Sequence, residues 1–265
     1  MSTDKTTYKY SFKVRYIGKN YAGSQIQRVK DGVSPPTIQS EIEKAIRTLI
    51  PTSLGSDKIT KKRPIKTVFS GRTDAGVNAK GQVVHFESEK TLVASKFICS
   101  MNEILPKDIS VADLKEVSTS FHAQGSSSKR HYQYVFWNKD HRDAFDGDLI
   151  RFKGELNILR MQKALGYLLG EHDFSSFKSS GTTNPNKTCF IHKVGCTKLD
   201  DMIVIDIVGN RFLYNMVRAI VGTLLMIEKK DLEPEVIKEV LEAKDRSKAG
   251  KNVSPHGLTL IEVEY

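Results

Sequence analysis

The segment Ser70-Gly71-Arg72-Thr73-Asp74-Ala75-Gly76-Val77-Asn78-Ala79 holds an Arg-x-Asp pair in a loop with a glycine near each end. Glycine lets a backbone take positive φ or approach a ligand closely, which a plain connector of this length would not need twice. A carboxylate two residues from a guanidinium is held ionised, because the nearby positive charge favours the charged form. An ionised, positioned Asp74 can act as a nucleophile. Spacing alone leaves open a plainer reading, in which Asp74 caps a turn by accepting backbone N–H bonds.

Other clusters promise less. Cys189-x-x-His192-x-x-x-Cys196 offers soft ligands at short spacing, but a structural zinc takes four, and the third cysteine, Cys99, falls inside a helix of a different unit. No metal site is expected, and Cys189 and Cys196 read as strand residues. Glu171-His172-Asp173 reads as the turn after a helix, since adjacent side chains diverge. Gly166-x-x-x-Gly170 lies in a helix too polar for a membrane dimer motif. A small-molecule enzyme with a phosphate-cradling loop is excluded, because Gly76 is followed by Val77 and Asn78 instead of Lys and Ser or Thr.

The 265 residues include 41 Lys plus Arg against 31 Asp plus Glu, a formal charge of +10. The isoelectric point near 9.3 lies in the range, above about 9, expected of a nucleic-acid binder. The near-apolar runs Met202–Val208 and Ala219–Ile227 fall far short of the roughly 20 residues that span a bilayer, so no membrane association is expected. The start has no apolar h-region and carries Asp4, which argues against a targeting segment. Three cysteines cannot all pair, which suits a reducing compartment, and a cytoplasmic location is expected. The sequons at Asn186 and Asn252 then carry no meaning.

Periodicity supplies the elements that must position the loop. Lys9–Ile17 alternates as a half-buried strand with Tyr10, Phe12, Val14 and Tyr16 on one face. Ile38–Ile50 is a helix with Thr37 as N-cap and Pro51 as stop. Ile65–Ser70 and Gly81–Glu87 are strands around the glycine-rich loop, Thr91–Leu105 is a helix, and Ile109–Val117 a strand, a split βαβ plan. The rhythm then repeats: strand Arg130–Trp137, helix Leu156–Leu169, a hairpin of Ile191–Leu199 and Met202–Val208 through Asp200-Asp201, a helical stripe from Phe212 to Leu225, helix Pro234–Ala243, and strand Leu258–Tyr265. The expected fold is α+β, with a unit over 1–118 carrying the aspartate loop and a second over 119–265.

With these elements in place, the motifs resemble a known family. Gly71-Arg72-Thr73-Asp74-Ala75-Gly76-Val77 with Gly81-Gln82-Val83-Val84-His85-Phe86 is similar to the signature of the TruA-type tRNA pseudouridine synthases. Phe121-His122-Ala123, Arg130-His131-Tyr132-Gln133-Tyr134, Asp173-Phe174-Ser175-Ser176-Phe177, Met216-Val217-Arg218, Ala243-Lys244-Asp245-Arg246 and Pro255-His256-Gly257-Leu258 resemble further family blocks in order, from Tyr10 to the C-terminus. The resemblance implies two ferredoxin-like, RNA-recognition-motif-like units joined through a continuous, largely antiparallel sheet. It also implies a homodimer, tRNA as substrate, and isomerisation of uridines in the anticodon stem and loop (tRNA positions 38 to 40) with no metal or organic cofactor. By the same resemblance Asp74 is the catalytic nucleophile, Tyr132 packs on the base and helps remove the C5 proton, Arg218 pairs with the aspartate, and Arg72 serves in flipping the uridine. Thr73, Lys129, Arg130, Gly257 and Leu258 are the expected substrate-binding residues.

The residues themselves agree with these roles. A stacked uridine must be extruded before its glycosidic bond is reached, and Arg72 is close enough in sequence to brace the gap. Arg218 sits at the apolar boundary of its helical stripe, where a guanidinium calls for a carboxylate, and Asp74 is the candidate. Three positions depart from the family pattern: Ser24 replaces a tryptophan, Asn78 a histidine and Gln124 an arginine. They bear on how RNA is positioned, not on the nucleophile. Basic groups gather before the loop (Lys58, Lys61, Lys62, Arg63, Lys66), before Tyr132 (Lys129, Arg130, His131) and after the last helix (Lys244, Arg246, Lys248, Lys251). The competing reading, a non-catalytic RNA-binding protein, lacks the stacking aromatics at the centre of Lys80–Phe86.

Overall fold

The computed structural model describes residues 7–27, 35–50, 65–181 and 185–265. The chain forms two compact units, 1–127 with Tyr265 and 128–264. Pro51 and the lysines and arginine at 58, 61, 62 and 63 lie outside the described residues.

The first unit runs β1 (Tyr8–Tyr16), α1 (Ile38–Leu49), β2 (Val68–Phe69), β3 (Asn78–Ser88), α2 (Ala94–Ile104) and β4 (Ile109–Val117). β1 lies between β4 and β3, antiparallel to both, and β2 pairs antiparallel with β3. Period-two alternation puts Tyr10, Phe12, Val14 and Tyr16 on the buried face of β1. There Phe12 meets Phe86 edge-on at 5.8 Å, and Phe86 stacks on Phe97 of α2 at 5.8 Å. Buried aromatics of this kind each contribute about 1.5–3 kcal/mol. Thr37 caps α1 as expected, accepting from the Ser40 amide at 3.1 Å while the Ser40 hydroxyl accepts from the Thr37 amide. β2 is shorter than the strand expected over Ile65–Ser70. The Thr67 amide and hydroxyl both donate at 3.0 Å to the Glu43 carboxylate of α1, which removes this donor from any ladder.

The second unit runs β5 (Lys129–Asn138), β6 (Arg151–Phe152), α3 (Ile158–Gly166), β7 (Gly170–Asp173), β8 (Thr188–Leu199), β9 (Met202–Gly209), α4 (Met216–Lys229), α5 (Val236–Ala243) and β10 (Leu258–Glu264). Its order is β10-β5-β9-β8-β7, antiparallel throughout, with β6 parallel on β5. In both units the first strand is flanked by the unit's last strand and by the strand that closes its hairpin. Both units are thus α+β with mostly antiparallel pairing. Part-buried Arg160–Glu228 contacts at 2.7 and 3.1 Å fasten α3 to α4.

Three local expectations are corrected. Glu171-His172-Asp173 is strand β7, paired residue by residue with β8, because α3 stops at Gly166 and Gly170 reverses the chain at φ +94°. The last long helix begins at Met216, four residues after Phe212, because Asn215 is left-handed. The unit boundary falls at 127/128 and not at 118/119. The Ala123 amide donates to His85 Nδ1 at 3.0 Å, the Ala123 carbonyl accepts from Tyr265 at 2.8 Å, and Lys9 donates to the carbonyl oxygens of Thr119 and Phe121. These bonds tie 119–127 and the last residue to the first unit. Cys189 and Cys196 are buried strand residues as expected, and burial pushes both thiols up to about 11.

Candidate active site

The aspartate loop leaves β2 and re-enters the sheet at β3. Gly76 has φ +79°, and the Val77 amide donates to the Asp74 carbonyl at 3.1 Å, so residues 74 to 77 form a tight turn. What fixes the turn is a set of buried side chains beneath it. Ser70 donates to Gln82 at 2.6 Å and Gln82 donates to the Gly71 carbonyl at 2.9 Å. The hydroxyls of Tyr16 and Thr73 share a 2.8 Å bond. Burial pushes the Tyr16 phenol up to about 12 despite its bonds to Thr73 and Gln82, so it is neutral at physiological pH.

Ser24 completes the support. Fully buried, it accepts from the Thr73 amide at 2.9 Å through its hydroxyl and donates its own amide to the Thr73 carbonyl at 3.0 Å. The neighbouring Gly23, at φ +105°, passes so near that a Cβ would stand 2.8 Å from the Thr73 carbonyl oxygen. Gly18 packs still closer, and a Cβ there would meet the Val77 carbonyl oxygen at 2.1 Å. The Gly18 amide donates to Asn78 Oδ1 at 2.9 Å. Thr73 is therefore a buried anchor of the loop, Asp74 is half-buried, and Arg72 is exposed. Two of the three departures from the family pattern, Ser24 and Asn78, are loop supports whose role becomes legible only from these bonds.

In the second unit Tyr132 lies at the centre of β5 between Ile207 of β9 and Leu260 of β10. Its buried ring meets Phe212 edge-on at 5.1 Å. Arg218 occupies the first turn of α4, where Nε donates to the Val253 carbonyl at 2.8 Å and Nη1 to Asn215 Oδ1 at 2.7 Å. Gly257 runs against β5 so tightly that a Cβ would lie 2.4 Å from the Val135 carbonyl oxygen. Leu258 pairs with Tyr134, whose hydroxyl donates to the Ser254 carbonyl at 2.9 Å. Lys129 pairs with Glu264 at 3.0 Å, and Arg130 donates to the Asn210 carbonyl at 2.6 Å.

Each unit thus presents a prepared fragment: in the first a carboxylate on a turn braced from below, in the second a buried aromatic on β5 and, on α4, a guanidinium held by backbone and amide oxygens. Among the described residues no cluster of His, Cys, Asp and Glu could hold a metal ion, and no helix is long and apolar enough to cross a membrane.

The profile of the tRNA pseudouridine synthase family matches residues 164–265. The tRNA pseudouridine synthase A of Caldicellulosiruptor saccharolyticus is 40% identical over 95% of this chain and 97% of its own. The enzyme of that name from Buchnera aphidicola is 40% identical over 99% and 94%, and that from Bacillus subtilis 37% identical over 95% and 97%. At such identity across nearly the whole of both sequences, this chain belongs to the tRNA pseudouridine synthase A family of isomerases.

Proposed function

We propose that the protein converts uridine to pseudouridine in the anticodon stem and loop of tRNA, at positions 38 to 40, with Asp74 as the nucleophile. The observation that carries the reading is the braced loop 71–77, in which Ser24 and Tyr16 bond Thr73 and Gln82 bonds the Gly71 carbonyl, fixing the residues that lead into the Asp74 carboxylate. A turn that merely connected two strands would not need them.

The reaction breaks the bond from ribose C1′ to N1, turns the base, and forms a bond from C1′ to C5. One proton leaves C5 and one arrives at N1, so atoms balance with no cofactor. Asp74 supplies the nucleophile and Tyr132 packs on the base near the C5 proton. Arg218 supplies a fixed cation to the reaction, and Arg72, exposed on the loop, braces the gap left by the flipped nucleotide. Thr73, Gly257 and Leu258 shape the walls, while Lys129 and Arg130 meet the RNA backbone. We assign each unit a ferredoxin-like chain path, on the shared strand order, and the working form is a cytoplasmic homodimer.

Incubation with tRNA tritiated at uridine C5 should release label with no cofactor added. The new pseudouridines should map to the anticodon stem and loop. Release with modification confined to another arm would overturn the site assignment, and absence of release from any tRNA would overturn the activity.

A further inference from the structure

We infer that Asn215 is a positioning residue that holds the Arg218 guanidinium in its working orientation, and that the segment following α5 braces Asn215 through Ser179. The inference rests on the reading of Arg218 given above.

Asn215 stands at the N-cap position of α4, where asparagine ordinarily bonds the exposed helix amides. Here its side chain makes no capping bond. Its Oδ1 accepts from Arg218 at 2.7 Å and its Nδ2 donates to the Ser179 hydroxyl at 3.1 Å, so both ends of the amide are fixed. The Ser179 oxygen also accepts from Asn252 at 3.0 Å, and Asn252 Oδ1 accepts from Arg246 at 2.9 Å. Arg246 belongs to the block Ala243–Arg246, and Ser179 follows Asp173–Phe177, two motifs with no part in the chemistry above. The relay gives them one: each supports the residue that orients the guanidinium. A planar guanidinium gripped at Nε by Val253 and at Nη1 by Asn215 has its plane defined, which a single contact would not achieve.

The backbone offers a competing reason for asparagine. Asn215 has φ +61° and ψ 10°, the left-handed region that asparagine and glycine tolerate best. Two substitutions separate the reasons. Asn215→Gly keeps the backbone and removes the side chain, whereas Asn215→Ala removes the side chain and strains the backbone. If the side chain positions Arg218, both variants lose about tenfold or more in single-turnover tritium release, as expected when a bond to a charged group is lost. KM for tRNA stays near the wild-type value, and Asn215→Ala, which adds backbone strain to the lost bonds, melts below Asn215→Gly. If Asn215→Gly keeps wild-type turnover while Asn215→Ala fails, the residue serves the backbone alone and the proposal is overturned. Arg218→Lys tests the underlying reading and should lose at least as much turnover as Asn215→Gly. Wild-type turnover in Arg218→Lys overturns that reading and this proposal together, while an inactive Arg218→Lys beside a fully active Asn215→Gly overturns the positioning role only.

Discussion

At the scale of the residue, preparation of Asp74 depends on neighbours that do no chemistry. Ser24 accepts from an amide one residue before the aspartate, in a fully buried setting. Ser24→Ala leaves that amide without its partner, at a cost of about 1–3 kcal/mol. Turnover should fall about tenfold while affinity for tRNA is unchanged, because the loop loosens but the RNA-facing groups remain. Single-turnover tritium release alongside filter binding measures both, and unchanged turnover would contradict the support role. The Arg72-x-Asp74 pair and its glycines are legible in the sequence because they are local. Ser24, Tyr16 and Gln82 are not, since their partners lie 49, 57 and 11 residues away. Periodicity places Tyr16 on a buried face and says nothing of its hydroxyl.

At the scale of the element, β3 carries the loop at one end and His85 further along. His85 is buried and its Nδ1 accepts from the Ala123 amide, fastening 121–123 to the strand. Burial, then the charge of Lys9 and the nearby His122, pull it down to about 4. Between pH 6.5 and 4 the unfolded chain therefore binds more protons than the folded one, and stability falls as pH falls through that window. Thermal melts at pH 7.5 and 5 should differ by about 1–2 kcal/mol more for the wild type than for His85→Gln, which carries no titrating group. Equal pH dependence would contradict the assignment. Strong alternation and helical stripes made β1, α1, β4, β8, β9 and β10 readable to within a few residues. β2 reads too long, over Ile65–Ser70, and the two-residue strand β6 was hidden because it arises from one or two tertiary bonds and carries no period of its own. β7 was hidden because Glu171-His172-Asp173 has no strand pattern and is defined by pairing with β8.

At the scale of the whole molecule, the +10 charge is the term that acts before any specific contact. Lys66, Lys244, Lys248 and Lys251 are exposed near the proposed site segments in sequence. Binding of tRNA should weaken linearly in log Kd against log salt as condensed counterions are released. A flat salt dependence between about 50 and 200 mM, where such binders lose orders of magnitude, would contradict a phosphate-tracking role for these groups. Charge alone names only a polyanion. The chemistry was legible because the family motifs run the length of the chain, and the support beneath it was not, because it depends on folded neighbours.

The central claim is that Asp74 is the nucleophile, and replacing its carboxylate by the isosteric amide tests it most directly. Asp74→Asn should bind tRNA with nearly wild-type affinity and release no tritium from uridine C5. Release at the wild-type rate by that variant would contradict the account.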